Sequence, residues 1–105
     1  MKTESKYLWE ILIPVEDEFG DEIPKKRHKK WDEKISDISG GYTILKPAKG
    51  QWICPESGEL FAEPMIPVRM VCTRHEMFRI AEMTKVYYKQ LKVFVYRIAD
   101  EVYFI

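Results

Sequence analysis

The sequence has no long apolar run, and cysteine is rare in it. No segment approaches the roughly 20 consecutive apolar residues of a membrane-spanning helix, so no membrane segment is expected. Residues 1–6 are too polar for a secretory signal. Cys54 and Cys72 are the only two cysteines, which disfavours a disulfide framework and is too few for a zinc site without further spaced ligands. We therefore expect a cytoplasmic protein with no structural metal.

An excess of charge of either sign is also lacking. Lys and Arg together number 17, as do Asp and Glu, so the net charge is zero and the pI is near 6.7. Such a chain has no overall field that would attract nucleic acid or an anionic membrane, and neither is an expected partner. The 105 residues fit a single domain, 1–105.

The sequence contains no complete catalytic or cofactor-binding signature. His28 and His75 each lack a visible partner of the kind that orients a general base. The Ser57-Gly58 pair is read as a turn and not as a nucleophile elbow, because no helix follows it. The sequence consequently predicts no cofactor and does not decide whether the protein is an enzyme.

Residues 7–13 are rich in aromatic and branched side chains and end at Pro14, a pattern typical of a β-strand. A mixed second face is expected when helices cover a sheet on one side only. Alternation gives the strand two faces, one with Tyr7, Trp9, Ile11 and Ile13 and the other with Leu8, Glu10 and Leu12.

An acidic run, 16–22, is followed almost at once by a basic run, 25–30. We interpret residues 15–30 as an exposed loop in which the opposite charges screen one another over about 8 to 10 Å. The alternatives for the basic run are a phosphate-binding patch and a nuclear-targeting signal.

A first amphipathic helix is predicted over residues 29–39. Trp31, Ile35 and Ile38 recur there at helical spacing, with charged residues between them. Gly40 follows the last of these residues, and a glycine at that position can take the left-handed conformation that ends a helix.

Residues 42–72 are predicted to form one long bent hairpin with its turn at 55–58. Pro47 interrupts the first arm without abolishing it. Pro64 and Pro67 in the second arm indicate an edge position or a bulge, because proline cannot donate to a strand ladder.

A second helix is predicted to begin at a capping box formed by Thr73 and Glu76. Residues 93–98 follow as a strand, and 102–105 as a short extension or small extra strand. The expected buried stripe of this helix consists of Met77, Ile80, Ala81, Thr84, Tyr87, Tyr88 and Leu91.

The order strand, helix, strand, strand, helix, strand predicts an α+β protein of the ferredoxin-like βαββαβ type. Two helices would cover one face of a four-stranded antiparallel sheet. The other face would carry Leu8 and Leu12, more apolar surface than a monomer usually exposes. We expect a second copy of the chain to cover it, through sheet-to-sheet packing in a homodimer.

Several short motifs in the C-terminal two thirds are similar to those of a small family of bacterial and bacteriophage proteins. The family pattern is Gly-x-Thr, Gly-Gln-Trp, a glycine, a glutamate and Tyr-x-x-x-Gln, and this chain has the shorter spacing Tyr-x-Gln in the last motif. The resemblance implies a ferredoxin-like fold, and the family has no settled activity from which a function would follow. The matching residues are Gly41-Tyr42-Thr43, Gly50-Gln51-Trp52, Gly58, Glu63, Tyr88 and Gln90.

A ligand site is predicted beside the hairpin and the end of the second helix. An indole, a guanidinium and an amide could together hold a planar or anionic small molecule. The alternative is that Trp52 only anchors the hairpin and Arg69 pairs with Glu63. The candidate ligand-binding residues are Gln51, Trp52, Glu63, Arg69, Tyr88 and Arg97.

Three functions are compatible with this pattern. The first is a small oligomeric binding protein that takes a partner protein, a metabolite or a nucleotide beside the hairpin. The second is a cofactor-independent enzyme of the dimeric α/β-barrel type that acts on a small organic acid, with Glu63 as base, Arg69 as charge stabiliser and Trp52 as wall. An enclosed cavity with a carboxylate of raised pKa would favour the enzyme. The third is an RNA-binding sheet, whose platform would be Tyr42, Trp52, Phe94 and Tyr96.

Overall fold

The computed structural model describes residues 5–105 and has an α+β architecture. Its two helices lie on one side of an antiparallel sheet. Neither helix in this range is long and apolar enough to cross a membrane. The elements in chain order are β1 (Lys6–Pro14), α1 (Lys25–Ser39), β2 (Thr43–Ile44), β3 (Ala48–Ile53), β4 (Leu60–Thr73), α2 (Arg74–Tyr87) and β5 (Val95–Ala99).

The sheet confirms the ferredoxin-like fold class. β1 lies in the centre, between β4 and β5, and both pairings are antiparallel. β2 and β3 both pair with β4, the first opposite Val68 and Arg69 and the second opposite 60–65. The two short strands therefore share one edge position in the sheet and are separated around Pro47, as the sequence predicts. The sheet is four strand positions wide.

The core lies between the helices and one face of the sheet. Trp9, Ile11 and Ile13 of β1 are buried in it, so the predicted alternation of this strand is confirmed. Alternate residues of β4 join them, and the helices close the core from above. The other buried members of this cluster are Ile23, Trp31, Ile35, Val68, Met70, Cys72, Met77, Ile80 and Tyr88.

The predicted signals that end α1 and begin α2 are both present. Gly40 has a φ of 84° and its N–H donates to the Ser36 carbonyl, which ends α1. The Thr73 hydroxyl accepts from the Glu76 amide at 3.1 Å, and the Glu76 carboxylate accepts from the Thr73 amide at 2.9 Å. The capping box therefore satisfies two donors that the helix would otherwise leave unpaired.

The buried stripe of α2 is shorter than expected. The helix ends at Tyr87, and Leu91, which the sequence predicts to be part of the stripe, is 72% exposed. Lys89 has a φ of 53°, and this left-handed residue turns the chain out of the helix. Residues 102–105 contain no strand.

The basic run is helical, which corrects the interpretation of residues 15–30 as a loop. α1 begins at Lys25, directly after Pro24. Two of the basic residues face α2: the Arg27 guanidinium donates to the Tyr87 carbonyl at 2.7 Å, and His28 is hydrogen-bonded to Tyr88 at 2.7 Å. The apolar spacing did not reveal this start, because the residues that pack here are polar.

We expect Thr73→Ala to destabilise the protein by about 1 kcal/mol, because the Glu76 amide loses its acceptor. Urea unfolding followed by circular dichroism measures the difference. Thr43→Ala, on the exposed strand β2, is the matched control and should cost less. Equal losses in the two variants would show that the capping box contributes nothing beyond strand propensity.

Candidate ligand-binding site

A cavity of about 360 Å³ lies where the β3–β4 hairpin meets the segment after α2. The loop after β1 also lines it. The lining residues are Leu12, Glu16, Asp17, Glu18, Gly50, Gln51, Trp52, Phe61, Glu63, Met65, Tyr88, Lys89, Gln90, Leu91, Lys92 and Phe94.

The hairpin wall exists because β4 is longer than β1. β1 ends with Pro14 opposite Met65, so residues 60–64 of β4 and their partners in β3 extend past it. Trp52 stacks on its cross-strand neighbour Phe61, with ring centroids 4.9 Å apart. It is also nearly parallel to Phe94, at 5.9 Å. Trp52 therefore anchors the hairpin and lines the cavity at the same time.

The loop wall is a compact turn stabilised by its own polar groups. The Asp17 carboxylate accepts from the amides of Phe19 at 2.9 Å and Asp21 at 3.0 Å. The Asp17 amide in turn donates to the Asp21 carbonyl at 2.8 Å, and Gly20 takes a φ of 83° that favours glycine. These bonds hold the acidic residues at the start of the loop beside the cavity.

The third wall is the segment 88–92, which is fixed at both ends. Tyr88 is buried, and its hydroxyl bonds to His28. Lys92 bonds to Glu56 in the hairpin turn at 3.0 Å. Between them, the side-chain oxygen of Gln90 is buried and has no hydrogen-bond partner among the described residues. An unpaired buried acceptor is costly, because the atom has lost its contact with water without gaining a donor.

Glu63 is the carboxylate with a perturbed pKa in this site. Its side chain is half-buried, and burial raises its pKa above the ordinary value. The negative charge of Glu16 raises the pKa further. Two carboxylates are thus held close enough to repel each other at one side of the cavity.

Four of the six candidate residues come together in the cavity: Gln51, Trp52, Glu63 and Tyr88. The two arginines lie elsewhere. Arg69 stands directly opposite Glu10 in the β1–β4 register and forms an ion pair with it at 2.8 Å. It cannot act as a charge stabiliser beside Glu63, nor does it pair with Glu63.

The Arg97 side chain makes its contacts at the edge of the sheet. Its guanidinium bonds to Asp100 at 2.8 Å and lies 4.5 Å from the centre of the Tyr7 ring. It does not line the cavity. Tyr42, one member of the suggested aromatic platform, also lies apart and lines a separate groove together with Arg69.

Sequence reasoning missed Glu16 and did not include Gln90 among the site residues. Glu16 belongs to an acidic run that looks like solvated loop, and only the fold of the loop turns it toward Glu63. Gln90 carried a signal, since it belongs to the short motifs that resemble a bacterial and bacteriophage family. Its unpaired oxygen, however, is a property of the folded chain.

The remaining reactive side chains give no second centre. His28 is half-buried and paired with Tyr88, contrary to the expectation that it is exposed and without a partner; burial and the neighbouring Arg27 lower its pKa. His75 is exposed. Cys54 and Cys72 are free and buried, and burial raises the pKa of Cys72 to about 12. Within residues 5–105 no cluster of three or more metal-ligating side chains occurs.

Comparison with known proteins identifies the fold and no family. No family profile and no curated protein sequence matches the chain. Among solved structures, the periplasmic divalent cation tolerance protein CutA from Archaeoglobus fulgidus has a TM-score of 0.64 and 10% identity, with 94% of this chain and 87% of that chain covered. These values establish a shared fold.

Two other structural neighbours were determined with bound ligands. A phage SAM lyase in complex with S-methyl-5′-thioadenosine has a TM-score of 0.62 and 14% identity, with 98% of this chain and 96% of that chain covered. The GlnK–ATP complex of B. subtilis has a TM-score of 0.53 and 14% identity, with coverage of 93% and 85%. The ferredoxin-like fold is therefore shared by proteins that differ widely in sequence.

The carboxyl group of Glu63 should titrate above its ordinary pKa of 4.5, because burial and Glu16 both disfavour its charged form. Glu16→Gln should lower the midpoint without restoring the ordinary value, since burial is the larger cause. A ¹³C NMR titration of the side-chain carboxyl groups measures both midpoints, and Asp100→Asn serves as a distant control. A midpoint at or below the ordinary value would contradict the geometry.

The same shift links stability to pH. A carboxyl group whose pKa is higher in the folded state binds its proton more tightly when folded. Glu63 should therefore reduce the free energy of unfolding as the pH rises from 4.5 through the folded pKa, and Glu63→Gln should remove that part of the decline.

Proposed function

We propose that the cavity binds a small molecule with a flat ring, and that this ligand is an adenine nucleoside or a derivative of one. The observation that carries the proposal is the stack of Trp52 with Phe61 and Phe94 at the wall of a cavity of about 360 Å³. Ligand sites commonly have volumes of about 300 to 1,000 Å³ and mostly apolar walls with a few polar groups. Aromatic side chains offer large contact areas to a planar base.

Polar groups next to the rings suit a purine base. Gln90 lines the cavity, and its buried side-chain oxygen has no partner among residues 5–105. A rotation of this amide toward the cavity would let the oxygen accept from the exocyclic amine of adenine. Gln51 adds an exposed amide on β3 that can donate and accept. A ligand with both donors and acceptors on its edge would therefore replace water without leaving polar groups unpaired.

The structural neighbours support this choice of ligand. Two of them carry an adenosine derivative, S-methyl-5′-thioadenosine in one case and ATP in the other. The phage enzyme matches almost the whole length of both chains, which agrees with the resemblance of the sequence motifs to bacteriophage proteins. We propose on this basis that the protein acts as a nucleoside-binding protein in the cytoplasm.

Catalysis on the bound nucleoside is the second candidate. A half-buried carboxylate with a raised pKa lines the cavity, which is the feature expected of a general base or acid. Glu63 would take that role and Trp52 would remain a wall. Lys89, which lines the same cavity, is a better placed cation than Arg69, which is held by Glu10.

We also propose that the protein self-associates through the face of the sheet that the helices leave uncovered. Tyr96, which stands opposite Glu10 on this face, is 36% exposed. Glu10 at its centre is buried and already paired with Arg69. Because Glu10 and Arg69 neutralise each other within one chain, a second copy can cover the face without burying an unpaired charge.

Adding S-methyl-5′-thioadenosine should raise the melting temperature of the wild-type protein, because a ligand that binds only the folded state stabilises it. Trp52→Ala should abolish the shift, since it removes the largest ring from the cavity. Differential scanning fluorimetry across a concentration series measures the effect.

Tyr103→Ala is the matched control, because Tyr103 is an exposed aromatic residue outside the cavity. It should leave the ligand-induced shift intact. A shift that persists in Trp52→Ala would place the ligand elsewhere, and no shift in the wild type would refute nucleoside binding.

Sedimentation velocity at micromolar concentration should show an oligomer. Tyr96→Glu should return it to monomer by placing a charge on the uncovered face, whereas Val86→Glu, at an exposed site on α2, should not. A wild-type protein that sediments only as monomer would contradict self-association.

A further inference from the structure

The two adenosine derivatives bound by the structural neighbours differ in charge, and the charged residues around this cavity are unequal in number. One of those ligands is a neutral thioether and the other carries a triphosphate. Four carboxylates and two lysines line the cavity: Glu16, Asp17, Glu18 and Glu63, and Lys89 and Lys92.

The two lysines do not balance the carboxylates. Lys92 is bonded to Glu56 at 3.0 Å, and this hydrogen bond raises the pKa of its ammonium group. Its charge is therefore largely matched by a carboxylate that does not belong to the cavity. Lys89 has no ion pair within residues 5–105, so of the two lysines it alone is left to offset the four carboxylates of the lining.

The acidic side of the cavity is built into the fold. Asp17 accepts two backbone amides and fixes the turn that carries its neighbours. Glu63 extends from β4, opposite Gly50, and is close enough to Glu16 for the two charges to interact. The loop and the strand thus come from separate parts of the chain and place their carboxylates in one negative region. A cation bound there would reduce the repulsion between these carboxylates.

The aromatic side of the cavity favours the same sign of charge. Trp52, Phe61 and Phe94 all line it as a stack, and a ring face that the stack leaves open to the cavity would attract a cation. The buried oxygen of Gln90 is a further negative pole without a partner among the described residues. A phosphate chain would meet these groups with only Lys89 to neutralise it.

We propose that the cavity selects adenine nucleosides that carry a positive charge near the ribose, such as a sulfonium or an ammonium group, and rejects nucleotides that carry phosphates. The inference rests on the proposed function, because it concerns the same cavity and the same base. The adenine ring provides the flat surface, and the cationic substituent lies toward Glu63 and Glu16.

Three ligands with one base test the inference: S-methyl-5′-thioadenosine, its S-methylated sulfonium derivative and ATP. They differ in charge at the 5′ position while the nucleoside stays the same. Isothermal titration calorimetry of the full chain should give a Kd for the sulfonium about tenfold lower than for the thioether, with ATP the weakest. The affinity for the sulfonium should fall as salt is added, because added ions screen the carboxylates.

Glu63→Gln should lower the ratio of the affinity for the sulfonium to the affinity for the thioether. The replacement has the same shape and removes a half-buried charge, so the fold is retained. Glu59→Gln is the matched control, since Glu59 is an exposed glutamate of the same hairpin that does not line the cavity.

The outcomes separate the two proposals. If ATP binds as tightly as the sulfonium, or if the thioether and the sulfonium bind equally, the charge selection is overturned and nucleoside binding stands. An equal effect of Glu59→Gln and Glu63→Gln also overturns it. If none of the three ligands binds, the proposed function fails, and the selection fails with it.

Discussion

The antiparallel pairing of β1 with β4 is the constraint on which the rest of the structure depends. It runs without a break from Lys6 opposite Thr73 to Pro14 opposite Met65. A shift of one residue would move Trp9 and Ile11 from the core to the open face, because successive side chains of a strand point to opposite sides. The register therefore decides which face the helices cover and which polar groups meet on the other.

The same register also produces the cavity. β4 has 14 residues and β1 has nine, so five residues of β4 extend beyond its partner, and these are 60–64. Together with β3 they form the overhanging hairpin that carries Trp52 and Glu63. The loop after β1 and the segment after α2 close the space beneath it, and the bond from Lys92 to Glu56 joins one of them to the hairpin turn. The site is thus a consequence of unequal strand lengths.

Local signals in the sequence were enough to predict much of the fold. The alternation of β1, the capping box at Thr73 and the glycine at position 40 each act over a few residues, and all three are present as predicted. The start of α1 was missed because Arg27 and His28 pack through polar contacts with α2, 60 residues away. Contacts between polar residues leave no periodic pattern of apolar residues in the sequence.

The candidate site shows the same division between local and distant effects. The hairpin residues Gln51, Trp52 and Glu63 could be grouped from sequence, because a turn brings its two arms together. The ion-pair partner of Arg69 could not be predicted, because it depends on which residue of β1 lies opposite Arg69 in the sheet. That residue is Glu10. The coupling of Glu16 to Glu63 likewise needs the folded loop.

The central claim is that a nucleoside lies against the aromatic rings of the overhanging hairpin. Intermolecular nuclear Overhauser effects in a sample with S-methyl-5′-thioadenosine test it most directly. The account predicts contacts from the base protons to the rings of Trp52 and Phe94. Contacts confined to Tyr42 and Phe104, in the separate groove beside Arg69, would contradict it.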